Sequence, residues 1–219
     1  MSIELLNDPV AAIFDLDGTL LDTEPLYTEA TQRVLDPFGA TYTMELKRKV
    51  MGGDSRRSAQ LTIEAFDLPM TPEEMLAARE VHLEKLFPTA PEIDGAGRYI
   101  QHLNERGVPT GIATSSHSHL CELKIGHREW TPLLKSIVCG NDEALKRGKP
   151  EPDIFLLCAE RMGVDPSRTL AFEDSRNGVL AAKAAGMIVV AIESPYTTAE
   201  DLVEADVVIP NYHQLIASQ

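Results

Sequence analysis

The chain has 219 residues, with 34 acidic against 20 basic side chains and a formal net charge of −14. Such a balance argues against binding a nucleic-acid backbone, whereas a small phosphorylated ligand needs only a few local cations and a metal. No apolar stretch reaches membrane-spanning length, the first nine residues carry no basic residue or cleavable apolar segment, and Cys121, Cys139 and Cys158 are spaced for neither a disulfide framework nor zinc. No membrane and cytoplasmic residence are therefore the expectations; the oligomeric state is not legible in the sequence, and a monomer is the default.

The first predicted element is a buried strand over Val10–Phe14. It runs into Asp15-Leu16-Asp17-Gly18-Thr19-Leu20-Leu21-Asp22-Thr23-Glu24, the most informative stretch of the chain. Asp15 and Asp17 stand at i and i+2, so both carboxylates leave the strand end on one side, and Gly18 lets the backbone turn sharply. A divalent cation or a proton would relieve such a pair, and the layout is that of an aspartate nucleophile beside a carboxyl acid/base with a metal to hold off their repulsion. A calcium loop is excluded, because Leu20 and Leu26 occupy the positions where it needs Gly and Glu.

Residues 25 to about 90 show only helical periodicity. Leu26, Ala30, Val34 and Phe38 recur at four-residue spacing and predict one apolar face. Thr71-Pro72-Glu73-Glu74 opens a further helix with a cap, a first-turn proline and a glutamate at the third position; it ends near Phe87. An all-helical insert after the first strand is expected to act as a lid, since open α/β sheets bind ligands at their strands' carboxyl ends.

From Ile93 onward strands alternate with helices: strands at Pro109–Thr114, Ser136–Cys139, Thr169–Phe172, Ile188–Ile192 and Asp206–Ile209. One helix, capped by Asp94, buries Tyr99, Ile100 and Leu103 and stops at Gly107; others run from Asp153 to Gly163 and from Ser175 to Gly186. This alternation predicts an α/β fold, a Rossmann-like parallel-sheet core covered on both faces. The domain reading is a core over 1–24 and 93–219 and a small helical cap over 25–92.

Three more motifs fall at predicted strand ends. Ile112-Ala113-Thr114-Ser115-Ser116 offers hydroxyls and loop N–H groups that suit a phosphate oxygen. Gly148-Lys149-Pro150-Glu151-Pro152-Asp153 fixes one lysine where it could neutralise a nucleophile and a transferring phosphoryl group. Phe172-Glu173-Asp174-Ser175 places two adjacent acids between a strand and a helix, so one would reach a metal directly and the other through water. His117-Ser118-His119 lacks a third ligand for zinc, and Trp130 is read as ordinary packing.

Taken in order, Asp15/Asp17, Thr114, Lys149 and Glu173/Asp174 resemble the four motifs of the haloacid dehalogenase-like family, and the resemblance extends over essentially the whole chain. Within it the chain is most similar to the subgroup of β-phosphoglucomutase, 2-deoxyglucose-6-phosphate phosphatase and pseudouridine 5′-phosphatase. The resemblance implies Asp15 as nucleophile, Asp17 as acid/base and Lys149 as a catalytic cation. It implies Mg²⁺ held by the Asp15 carboxylate, the Asp17 backbone carbonyl and Asp174, with Glu173 nearby. Thr114, with Ser115 and Ser116 behind it, would bind the phosphoryl oxygens. Specificity would come from cap residues around Met51 to Arg57, with Gly52 and Arg56 as substrate-binding candidates, and from the loop after Thr114.

The expected activity is hydrolysis of a sugar phosphate or nucleoside monophosphate, pseudouridine 5′-phosphate first. A sugar phosphomutase is the rival; Met51 replaces the lysine that β-phosphoglucomutase-like proteins carry in the cap. A dehalogenase would need neither Asp17 nor the Glu173-Asp174 pair, and a non-catalytic binding protein would not need every motif.

Overall fold

The computed structural model describes residue 6 and residues 9–50 and 55–216. They divide into two compact units, one of residues up to Asp22 and from Pro91 onward, the other Thr23–Ala90.

The first unit is built on six parallel strands: β1 (Ala11–Phe14), β2 (Thr110–Thr114), β3 (Leu134–Cys139), β4 (Thr169–Glu173), β5 (Ile188–Ile192) and β6 (Val207–Ile209). Their order is β3-β2-β1-β4-β5-β6. Strands β1, β2 and β4 are buried along their whole length, which is why they read as continuous small or apolar runs without alternation. Register is set by pairs such as Ile13 with Gly111 on one side and Ile13 with Ala171 on the other. The chain builds outward from β1 through β2 to β3, then restarts at β4 beside β1. The carboxyl ends of β1 and β4 thus form the switch point of the topology, where α/β sheets bind ligands.

Side chains alternate between two cores. Ala11, Ile13, Ala113, Ala171, Val189 and Ala191 pack with Phe155, Cys158 and Met162 of α7 (Asp153–Met162) and Val179 and Ala182 of α8 (Arg176–Ala184). Phe14 and Phe172 stack at 4.6 Å, meet Tyr99 of α5 (Ala96–Glu105) edge to face, and pack at a tilt against Tyr212, which precedes α9 (His213–Ile216). The Tyr212 hydroxyl donates to the carbonyl of Thr19 at 3.1 Å, tying this aromatic layer to the loop after β1.

The second unit holds α1 (Glu24–Leu35), α2 (Met44–Val50), α3 (Ser55–Phe66) and α4 (Pro72–Leu86). Its core is Val34, Leu35, Ala59, Ile63, Leu68 and Met75. Thr71 and Glu74 form the expected capping box at the start of α4.

All six predicted strands are present: Ile188–Ile192 has the predicted bounds, and the other five differ at one end by one or two residues. Two local expectations need correction. Phe38 does not continue the apolar face of α1 and is 44% exposed, because α1 ends at Leu35 and Asp36-Pro37-Phe38 turns as a 3₁₀ segment. Asp94 does not cap α5; Gly95, left-handed at φ 82°, takes that place. The Asp94 carboxylate instead lies 2.7 Å from His213 Nε2, and its carbonyl accepts from Tyr212 N. It therefore anchors the C-terminal segment. Among the described residues, no helix is long and apolar enough to cross a membrane.

Candidate active site

Asp15 follows β1 directly, and its N–H donates to the Phe172 carbonyl of β4 at 2.9 Å, so the sheet ladder itself fixes the position of this side chain. Asp15 is buried, and its Oδ1 accepts from Lys149 Nζ at 2.6 Å. Lys149 donates equally to Glu173 Oε1 at 2.6 Å. Its own segment turns on a hydrogen bond from Glu151 N to the Gly148 carbonyl, with Lys149-Pro150 a cis peptide. Burial opposes the ammonium, but Asp15 and Glu173 outweigh it and hold Lys149 charged at any ordinary pH.

Glu173 ends β4 fully buried, and its carboxylate is used on both sides. Oε1 takes the lysine; Oε2 accepts from Asp174 N, Ser175 N and Ser175 Oγ at 3.0–3.1 Å. Gly178 makes this possible. A Cβ there would stand 1.7 Å from Glu173 Oε1, so the first turn of α8 must present bare backbone to the carboxylate. Ser175 caps the same helix by accepting from Gly178 N at 3.1 Å.

Asp174 turns the other way, toward Gly18. With φ at 83°, Gly18 makes the turn after Asp17, and its missing Cβ is the space that Asp174 Oδ2 fills, 2.0 Å from where that atom would be. Asp15, Glu173 and Asp174 each offer an oxygen within 4.8 Å of the others, the one such metal-competent group of three or more among the described residues. Burial, and then repulsion from Glu173 and Asp15, push Asp174 well above the usual carboxylate range. Asp15 is pushed up to about 7 by burial in spite of Lys149, with Glu173 and Asp17 adding to the rise.

Asp17 lies apart from that cluster. Its Oδ1 accepts from Lys124 Nζ at 2.6 Å and its Oδ2 from Ser116 Oγ at 2.7 Å, while Lys124 also donates to Ser116 Oγ at 2.8 Å. Thr114 ends β2, buried, and its hydroxyl accepts from Ser116 N at 3.1 Å, shaping the loop that also carries the exposed Ser115. The structure thus brings together Asp15, Asp17, Thr114, Ser116, Lys149, Glu173 and Asp174. Arg56 belongs to the other unit, where it is exposed and its Nε donates to Glu73 Oε1 at 2.7 Å. Gly52 and Met51 lie outside the described residues.

Sequence reasoning missed Lys124. It sits on α6 (Ser118–Ile125), three residues after buried Cys121 and beside buried Ile125, with no exposed surface. A lysine on the apolar face of a helix was the available signal. Trp130, as expected, is packed: it is buried and donates to Glu92 Oε1 at 2.8 Å.

Four carboxylates, those of Asp15, Asp17, Glu173 and Asp174, face two ammoniums, Lys124 and Lys149, which leaves a formal charge of −2 among the six groups when all are ionised. An oxygen-only donor set with that deficit, and two carboxyls driven upward by burial, fits a hard divalent cation.

A fold that places its acids at the sheet's switch point, with a lysine on the strand-end aspartate, defines a class of α/β hydrolases. The chain belongs to the haloacid dehalogenase-like hydrolases, whose family model matches residues 12–192, and it is an enzyme of the phosphatase kind within them. It is 44% identical over 204 residues to a probable pseudouridine-5′-phosphatase of Drosophila melanogaster, covering 91% of this chain and 88% of that one. It is 42% identical over 189 residues to (DL)-glycerol-3-phosphatase 2 of Arabidopsis thaliana, covering 84% and 79%. Among solved structures, CbbY from Rhodobacter sphaeroides in complex with phosphate superposes with a TM-score of 0.77 at 25% identity, over 95% of this chain and 96% of that one.

Proposed function

We propose that the protein is a Mg²⁺-dependent phosphomonoesterase that hydrolyses a small phosphorylated metabolite through an aspartyl phosphate on Asp15. The observation that carries this reading is the division of two neighbouring carboxylates into different surroundings. Asp15 is buried against Lys149 and the acid cluster, while Asp17 is held separately by Lys124 and Ser116. A nucleophile and an acid/base drawn from the same residue type need such a division.

A carboxylate oxygen of Asp15 attacks phosphorus in line as the bond to the leaving oxygen breaks. That oxygen keeps the bonding electrons and takes the proton of the Asp17 carboxyl group. Water then attacks the phosphorus of the aspartyl phosphate, Asp17 accepts its proton, and Asp15 leaves as the carboxylate with release of inorganic phosphate. Lys149, held as the ammonium, cannot act as a base; it is a fixed positive charge beside the attacking oxygen. Asp15, Asp174 and the Asp17 carbonyl would hold Mg²⁺, and when bound the ion supplies positive charge to the phosphoryl oxygens. Glu173, fully engaged by Lys149 and the start of α8, supports the site through its partners. Thr114 and the loop N–H groups after it bind phosphoryl oxygens. The helical unit acts as the cap that selects the rest of the substrate.

The relatives' names point to phosphate esters of primary alcohols carrying a small hydroxylated group, pseudouridine 5′-phosphate and glycerol 3-phosphate among them. A monomer that acts on such a compound, with no nucleic-acid partner, is the reading we adopt. The test is phosphate release with and without Mg²⁺ from p-nitrophenyl phosphate, pseudouridine 5′-phosphate, glycerol 3-phosphate and β-glucose 1-phosphate. Mg²⁺-dependent release that Asp15→Asn lowers by about a thousand-fold or more is expected. Undiminished turnover in Asp15→Asn would refute the nucleophile. Conversion of β-glucose 1-phosphate to glucose 6-phosphate with little release would make the enzyme a mutase.

A further inference from the structure

We propose that Lys124 is a positioning residue for Asp17, and that its role is to aim the acid that protonates poor leaving groups. The inference rests on the reading of Asp17 as the acid/base and extends it to a residue outside the strand-end motifs. Lys124 has no exposed side-chain surface, whereas the Asp17 side chain is 26% exposed. The ammonium therefore grips the carboxylate from the interior and cannot itself reach a substrate.

The grip is closed on itself. Lys124 donates to Asp17 Oδ1 and to Ser116 Oγ, and Ser116 in turn donates to Asp17 Oδ2. With the hydroxyl oxygen accepting from the lysine, its proton is directed at Asp17, so the ring fixes the carboxylate plane from both oxygens. Each corner has its own anchor. Asp17 follows β1, and Ser116 N donates to Thr114 Oγ1 at the end of β2. The carbonyl of Lys124 accepts from Arg128 Nε at 2.9 Å. Arg128 is itself paired with Glu92 at 3.1 Å. Burying a lysine is costly unless it is paired and hydrogen-bonded, so a hydrophobic residue would serve packing alone at this point of α6 better.

Acting through Asp17 has a specific kinetic consequence. The proton from Asp17 matters for an alkoxide leaving group and hardly at all for p-nitrophenolate, which departs readily as the anion. The value of kcat/KM reports the steps up to loss of that group. Lys124→Met, which keeps the side-chain stem and packing, is expected to lower kcat/KM for glycerol 3-phosphate by about a hundred-fold. For p-nitrophenyl phosphate the expected fall is no more than about five-fold, and Asp17→Asn should show the same selectivity. The double variant should be no worse than Asp17→Asn alone, since the lysine works only through the aspartate.

Ser116→Ala, a smaller change in the same ring, carries the test should Lys124→Met fail to fold, and the same skew between the two substrates is expected of it. Equal losses on both substrates, or additive losses in the double variant, would overturn the inference and leave Lys124 a structural residue. No Mg²⁺-dependent release by the wild-type enzyme, or full activity in Asp17→Asn on both substrates, would instead overturn the reading of the site on which the inference rests.

Discussion

Gly178→Ala is the substitution for which local and tertiary physics predict opposite signs. Gly178 lies in the first turn of α8 at ordinary helical φ, so replacing it by alanine should add about 0.5–1 kcal/mol of helix propensity. Its Cβ, however, would stand 1.7 Å, 1.8 Å and 2.1 Å from the three carboxyl atoms of Glu173, none of which can remain in place. That carboxylate accepts four hydrogen bonds, from Lys149 Nζ, Asp174 N, Ser175 N and Ser175 Oγ. Hydrogen bonds to a buried charged group contribute about 1.5 kcal/mol each at the low end, so complete loss is worth about 6 kcal/mol. With half recovered by local re-pairing and the propensity gain subtracted, the net loss is about 2–2.5 kcal/mol. Urea denaturation of the two proteins measures it directly. A double-variant cycle with Glu173→Ala isolates the cause: without that carboxylate, Gly178→Ala should become neutral or stabilising. Equal stability of Gly178→Ala and wild type, or a cycle with no coupling, would refute the account of this glycine.

Mg²⁺ at about a hundred times its Kd should stabilise the folded protein by about 2.7 kcal/mol, raising Tm by about 5–10 °C, and a shift of equal size in Asp174→Asn would contradict the proposed ligand. The Tyr99 hydroxyl is buried with no hydrogen-bond partner among the described residues, so Tyr99→Phe should be neutral or stabilising by up to about 1 kcal/mol; a loss above that would contradict this account of the hydroxyl. The Arg161 guanidinium holds the Asp142 carboxyl below its usual range, and Arg161 Nη2 donates to Asp142 Oδ1 at 2.9 Å. A lowered carboxyl contributes stability above its unfolded pKa and loses it as pH falls through the folded one. The deficit of Asp142→Asn, under about 1 kcal/mol at pH 7 for so exposed a pair, should therefore begin to close below about pH 4. A deficit that widens in acid would reverse that sign.

What the sequence made legible was local. The central strands are buried on both faces, so each is a short apolar run, and the strings that end them, Asp15 to Gly18, Thr114 to Ser116 and Glu173 to Ser175, carry their chemistry within a few residues. What it concealed depends on partners far along the chain. Lys124 reads as a helix lysine until Asp17, 107 residues away, meets it. Asp94 has the spacing of a helix cap, yet a histidine 119 residues further on takes its carboxylate. The unlike surroundings of Glu173 and Asp174 follow from two missing methyl groups, at Gly178 and at Gly18, on different elements. No pattern of spacing ties those glycines to those acids.

The two ends of the helical unit's connection leave the sheet unit side by side. Asp22 N donates to the Pro91 carbonyl at 2.9 Å, Ile93 N donates to the Leu20 carbonyl at 2.9 Å, and Leu21 bridges Glu92 in antiparallel fashion. All of these residues belong to the sheet unit, so it closes its own chain before Thr23 and after Ala90. Loop-closure entropy grows slowly with length, by about 0.6 kcal/mol per doubling, so carrying Thr23–Ala90 in place of a link of about four residues costs the sheet unit about 2–3 kcal/mol. The clasp of Leu20 to Asp22 with Pro91 to Ile93 thus ties the sheet unit's two chain ends together without calling on any residue of the helical unit.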